Sequence, residues 1–417
     1  MKTVKSLIIL MVTLGCLFAQ KNTSSGNTEW DNGIMHFKSN DGKFRTKFDV
    51  RMFIQGGKFS DDSENVMSNS THLRKGRFAI KVKMWDYWQA EWDMDIADVA
   101  VEIKDMWVAY TGLNNAFVKL GNYKVPFGLE ILTSSRYISF IERSYTSMSF
   151  KMGRRMAIGY TKWGERWNVS GNYFGQTFYP GDRKDKNDEV GGGYAFRLAA
   201  APHIGPLLIH GGVSYANYLP DVDEAANRVE FKSEPENKLG DSEHVDTGVI
   251  MNVDRVIQKG LEGAVRLNNF CVQGEYMKTD VNRYGDYKGT PYEDASFEGG
   301  YGFFSWLITG EKRPWDKTQG EFGQVIPNSN KLGAWELLFR YSYINLSDPT
   351  ATGSGHEDGI LGGKAINMTY GLTWYANPNV KFMLNYIITD NSINADDEVS
   401  GGDYDFNSIL LQALINF

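Results

Sequence analysis

Apolar and polar residues alternate along this chain with a period of two, in segments of about 9 to 13 residues broken by polar stretches. From Lys43 to Met52 the pattern is explicit. Phe44, Phe48, Val50, Met52 and Ile54 share one parity, and Lys43, Arg45, Lys47 and Arg51 the other. The next segment sets Phe78, Ile80, Val82 and Met84 against Lys75, Arg77, Lys81 and Lys83. A third sets Trp88, Ala90, Trp92, Met94 and Ile96 against Glu91, Asp93 and Asp95. The alternation predicts strands over 43–55, 74–84, 87–97, 101–111, 115–123, 153–162, 166–175, 190–200, 206–217, 259–267, 270–279, 297–308, 334–346, 364–375, 380–390 and 406–417. A further alternating run, 245–253, lies inside the longest connection and is read as loop structure.

Strands of this length cross a bilayer when tilted, and alternation gives each one apolar and one polar face. The connections support that geometry. Those at 85–87, 112–114, 163–165, 202–206, 268–269 and 376–379 are short, whereas 56–73, 124–152, 176–189, 218–258, 280–296, 347–363 and 391–405 are long. Outer-membrane barrels alternate short periplasmic turns with longer external loops in this way. Two links depart from the rule: the one near Asp98 is short, and 309–333 is long. The final strand carries Ile409, Leu411, Ala413, Ile415 and Phe417 on one face, and its terminal aromatic resembles the recognition signal of such barrels. The expected fold class is all-β, a transmembrane antiparallel β-barrel of about 16 strands. A soluble β-sandwich would show the same alternation and is the alternative.

The first residues favour the membrane. Lys2 and Lys5 precede an apolar run from Leu7 to Phe18, too short to span and suited to a secretory signal cleaved after Ala19. Cys16 after Gly15 admits a lipoprotein site, which Thr13 fits poorly. The expected organisation is a signal at 1–19, a periplasmic lead-in at 20–42 and a barrel at 43–417. Removal of Lys2, Lys5 and Cys16 leaves 42 basic against 51 acidic residues, a net charge of −9, with Cys271 alone and no intramolecular disulfide. Aromatic residues make up 14% of the chain, enough to supply girdles at both membrane interfaces.

The parity also fixes where charge must point. A basic side chain facing lipid at the midplane costs roughly 2–4 kcal/mol, so Lys43, Arg45, Lys47, Arg51, Lys75, Arg77, Lys81 and Lys83 are expected to form a basic stripe inside the lumen. Glu91, Asp93 and Asp95 face the same interior. Two readings stay open. The walls could pair with each other and only stiffen the barrel, or the surplus of basic positions could enrich anions within a low-dielectric lumen. Much of the negative charge falls in connections, at Asp61, Asp62 and Glu64, at 221–224 and at 396–398. These are solvated tips, or points where divalent ions bridge to lipopolysaccharide; no calcium loop of usual spacing is found and no metal site is expected.

The stretch from Gly121 through Lys124-Val125-Pro126-Phe127-Gly128-Leu129-Glu130 and Thr133-Ser134-Ser135-Arg136-Tyr137 to Phe140-Ile141-Glu142-Arg143-Ser144 resembles the phosphate-selective porin O and P family. Shorter matches follow in order at 245–248, 273–277, 309–313, 335–337, 340–342 and 371–378. The resemblance implies a sixteen-stranded homotrimeric porin whose third external loop, 124–152, folds inward as the constriction loop, with a periplasmic loop tucked inside that would account for 309–333. It places Lys124, Ser134, Ser135, Arg136 and Arg143 at the narrowing and Asp105 on the nearby wall. Serine hydroxyls and charged donors can replace a phosphate's hydration shell, while a carboxylate keeps release possible. The basic stripe departs from the family's arginine ladder because it is lysine-rich, and lysine lacks the bidentate fork that matches phosphate. Glu142 and Arg143 could instead pair with each other to hold the loop.

Catalysis would need a nucleophile with a base, or a metal cluster. His36, His72, His203, His210, His244 and His356 are scattered, and Gly353-Ser354-Gly355-His356 follows no strand-to-helix pattern. No enzyme, no cofactor and no nucleic-acid partner is therefore expected. The expected partners are phosphate or other small anions, membrane lipid and lipopolysaccharide. A general small-solute pore and a plugged scaffold or adhesin are the alternatives.

Overall fold

The alternating segments pair edge to edge into one closed antiparallel sheet. The computed structural model describes residues 27–417 apart from 32–33, 62–68, 98–100, 176, 178–190, 221, 224–225, 240–242, 288, 354–355 and 393–404. The expected signal at 1–19 and most of the acidic loop tips lie outside the described residues. The barrel strands are β1 Phe44–Ser60, β2 Ser70–Met84, β3 Trp88–Asp95, β4 Glu102–Leu113, β5 Ala116–Lys124, β6 Arg154–Trp163, β7 Trp167–Phe174 and β8 Gly192–Ala200. They continue as β9 Leu207–Leu219, β10 Val253–Leu267, β11 Phe270–Arg283, β12 Ala295–Leu307, β13 Ala334–Asp348, β14 Ile360–Asn377, β15 Val380–Ser392 and β16 Phe406–Asn416. Each pairs with its sequence neighbour, and β16 closes the ring on β1 from Asn407↔Ser60 to Asn416↔Arg51. Phe417 and Val50 exchange backbone hydrogen bonds of 2.8 and 3.0 Å at the seam. Closure satisfies every edge, the condition for a sheet in lipid.

The parities fall as the pattern requires. On β8, Phe196 and Leu198 are 53% and 52% exposed on the outer face, whereas Ala195, Arg197 and Ala199 between them are buried. Hairpin turns at one end are short, with Asn115 and Asn268 in the left-handed region that asparagine tolerates. Stacked rings mark that end of the wall: Trp335 on Trp374, Trp374 on Phe382, and Phe270 on Trp306. Within the expected lead-in, Asn27–Asp31 and Ile34–Lys38 form a hairpin whose second arm pairs with β1 at His36↔Lys47 and Lys38↔Arg45. The 245–253 run contributes only the short ladders Val245–Asp246 and Ile250–Met251 before β10 begins at Val253.

The interior is not evenly hollow. The external loop between β5 and β6 turns inward and carries two short helices, α1 Leu129–Leu132 and α2 Tyr145–Ser149. Phe127, Phe150, Phe231, Phe297, Val245 and Val256 pack that loop and the 220–252 loop onto the inner faces of the later strands. The long connection 308–333 also folds inside. Trp315 and Phe322 pack there with Leu129, Leu208 and Ala264, and Arg313 donates to the Tyr137 carbonyl at 3.1 Å. Apolar packing of the three loops is mainly against β9–β16. The open space is left against β1–β7.

Candidate functional site

Strands β1–β7 supply one side of a cavity of about 450 Å³, and the constriction loop and residues 316–321 supply the other. Lys124, Ser134, Ser135, Arg136, Arg143 and Asp105, named from the sequence as constriction residues, all line it. From the basic stripe, Arg51, Lys75, Arg77 and Lys81 line it as well, while Lys43, Arg45, Lys47 and Lys83 do not.

Pairing removes much of the charge that the stripe carries. Asp49, inward on β1 among the basic positions, takes both Nε and Nη2 of Arg51 at 2.9 Å and lies 3.2 Å from Arg136. Arg77 reaches Asp95 at 3.2 Å and Asp93 at 3.5 Å, Lys81 reaches Glu91 at 2.7 Å, and Arg45 reaches Glu29 at 3.7 Å. Arg154 on β6 holds Asp105 with two hydrogen bonds of 2.6 and 3.0 Å. The count of basic against acidic positions read from the sequence is corrected here, because Asp49 shares the basic parity. Part of the stripe is therefore spent on ion pairs within the wall.

Lys124 and Arg143 serve the loop. The Lys124 ammonium donates to the carbonyls of Ile131 and Leu132 at 2.6 and 2.9 Å, and Arg143 to those of Glu130 and Thr133 at 2.8 and 2.6 Å. These are the carbonyls that a helix leaves unpaired at its end. Glu142 does not pair with Arg143, as the sequence allowed. It takes Arg74 instead, at 2.5 and 3.1 Å, because the β-bulge at 53–54 opposite 73–75 adds a residue to β2. Burial pushes the Glu142 carboxyl up, yet Arg74 and Lys75 outweigh it and hold the group down at about 2.

Carboxylates on the far wall fix the loop. Glu275 on β11 accepts the N–H groups of Leu129 and Glu130 at 2.7 and 2.6 Å and the Tyr301 hydroxyl at 2.6 Å. Gly128 must be glycine: its φ is +72°, and a Cβ would lie 2.6 Å from Met277 Cε and 3.1 Å from Glu275. Arg340, fully buried on β13, holds Glu236 of the 220–252 loop at 2.5 Å and Glu130 at 3.5 Å and stacks on Phe140. Arg136 alone among the loop cations points a guanidinium at the open wall, where its Nε has no hydrogen-bond partner.

Sequence reasoning missed several members of the lining. Lys119, Arg154, Trp107, Tyr123, Asn172, Asp316 and Glu321 all border the cavity. Lys119 shares the inward parity with Phe117, a signal that could have found it, whereas Asp316 and Glu321 sit in a connection with no periodicity. Burial in the folded connection pushes the Glu321 carboxyl up to about 7, against the opposing pull of Lys124 and Arg197.

A closed sixteen-stranded antiparallel barrel with an inward-folded loop and a charged lumen defines a porin of the outer membrane. The description phosphate-selective porin O and P matches residues 44–417, and the chain belongs to that family. It is 29% identical over 325 residues to Porin O of Pseudomonas aeruginosa, covering 70% of each chain. The outer membrane channel DcaP of Acinetobacter baumannii superposes with a TM-score of 0.57 at 10% identity, over 91% of this chain and 99% of that one. OmpT, an outer membrane protein of Vibrio cholerae, gives 0.53 at 10% identity, over 90% and 98%. These last two likenesses concern the fold.

Proposed function

We propose that this porin is an anion-preferring channel for passive uptake of phosphate or related small anions, working as a homotrimer exported by the segment 1–19 and followed by a lead-in over 20–42. The observation that carries the reading is the surplus of cations on the cavity wall. Nine basic side chains border the space against five carboxylates, or seven when Asp49 and Asp95 behind the wall are counted, and Lys75 and Lys119 have no ion pair among the described residues. The low-dielectric wall concentrates that potential on any permeant ion. Lys151 in the constriction loop is a further cation, while Lys104 on β4 and Lys238 in the 220–252 loop are paired with Glu102 and Glu234. Ser134, Ser135 and Arg136 are the groups proposed to touch the anion, with Lys124 and Arg143 shaping the loop that presents them and Asp105 limiting how tightly it is held.

The experiment is a planar bilayer in asymmetric KCl. Chloride-favouring reversal potentials and reduction of chloride current by millimolar phosphate are expected. A potassium preference overturns the anion reading, and an unchanged current removes phosphate from it. The dense ion pairing favours a second reading, a general small-solute pore, which predicts weak ion preference and no phosphate block.

A further inference from the structure

Between the constriction and the short-turn end, the wall has features that a bare oxyanion does not use. The Lys119 ammonium lies 4.2 Å from the centre of the Trp107 ring and 5.1 Å from those of Phe117 and Tyr123, so a positive charge is set within an apolar surround. Beside it, Tyr123 and Asn172 are 8% and 6% exposed. The Tyr123 hydroxyl and the Asn172 amide have only each other as a poorly aligned partner, and Ser135 Oγ and Asp93 Oδ1 have none. All of them border the same cavity. Buried polar groups are almost always satisfied, so a set of orphans on one wall marks where water or a solute's own hydrogen-bonding groups belong.

Three carboxylates stand close by. Oxygens of Glu91, Asp93 and Asp105 lie within 4.8 Å of one another, and Arg51, Arg77, Lys81 and Arg154 hold them without covering every lone pair. Carboxylates repel a small phosphate ion, whose surface is mostly acceptor. They accept readily from hydroxyl groups. A phosphate ester of a sugar satisfies both kinds of wall: its phosphoryl oxygens take the cations, its hydroxyls take the carboxylates, Asn172 and Tyr123, and its C–H faces lie against Trp107 and Phe117. A cavity of about 450 Å³ has room for the ring as well as the phosphoryl group.

We propose that the cavity wall formed by Trp107, Phe117, Lys119, Tyr123 and Asn172 is a binding station for phosphorylated sugars, which the channel prefers to inorganic phosphate. The proposal rests on the anion reading above and narrows its substrate.

The test uses the full chain in planar bilayers and compares block of chloride current by inorganic phosphate, glucose 6-phosphate and glucose. The expected result is half-block by glucose 6-phosphate at a concentration at least fivefold below that for inorganic phosphate, with no block by glucose. In Asn172→Ala and in Trp107→Ala that advantage should shrink to below twofold. Equal block by the two phosphates in the parent channel overturns this proposal alone, a comparison that needs no variant to fold. So does an advantage that survives in both variants, or equal block by glucose. Failure of both phosphates to block, with no chloride preference, overturns the anion reading itself.

Discussion

Asp49 governs how much of the basic stripe a solute can meet, since one carboxylate holds Arg51 in a fork and also touches Arg136. Charge-assisted forks of this kind are strong and geometrically specific. Asp49→Asn should therefore release positive potential into the lumen, and reversal potentials in asymmetric KCl should move towards chloride. A shift towards potassium would show that Asp49 does not face the conducting space. Glu321 offers a separate test through pH. Burial holds its carboxyl up at about 7, so it is neutral below that value and negative above it. Chloride preference should fall as pH rises from 6 to 8, and Glu321→Gln should flatten the profile. An equally steep profile in the variant would assign the titration to another group.

The constriction loop is held by polar clamps at both ends. Glu275 takes the first N–H groups of α1, while Ser144 caps α2 by accepting from Ser147 and is itself held by Glu130. Arg340 ties the loop to Glu236 across the lumen. Removing one partner of a buried ion pair strands the other, at about 3–5 kcal/mol. Arg340→Ala should lower resistance to denaturant by that order and raise current noise, as two buried carboxylates lose their partner; an unchanged unfolding midpoint would mean the clamp is dispensable. The Arg74–Glu142 pair has its own pH signature. With Glu142 held at about 2, below the ordinary 4.5, its contribution is fully present above 4.5 and is lost only as pH falls towards 2.

For the whole molecule, the consequence of three inward loops is an eccentric path. Apolar clusters draw most of their strand residues from β9–β16, joined by Phe59, Tyr123, Ala157, Phe174 and Ala195, and every lining strand of the cavity lies within β1–β7. A wide lumen is thereby reduced to a charged slot, which is the condition for selectivity in a barrel of this strand number. The proposed trimer predicts an unheated detergent complex of three chains and closure of a single inserted channel in three equal steps. One-step closure would indicate a monomer.

The sequence by itself determined the sixteen strands, their approximate limits and which side chains face inward, because parity is a local property of an extended chain in lipid and a one-residue slip inverts a whole face. The family resemblance carried by the residues from Gly121 to Ser144 implied the inward loop, which periodicity alone left as a long connection. Only the tertiary structure decided which cations are spent on partners. Glu142 reaches Arg74 rather than its neighbour Arg143, and Arg136, with no carboxylate adjoining it in sequence, meets Asp49 across the lumen. Those pairings join residues on different elements, and they exist because the constriction loop folds back into the barrel and meets the inner faces of β1 and β2. Periodicity reports the surface each strand meets; it does not report what folds back to fill the space between them.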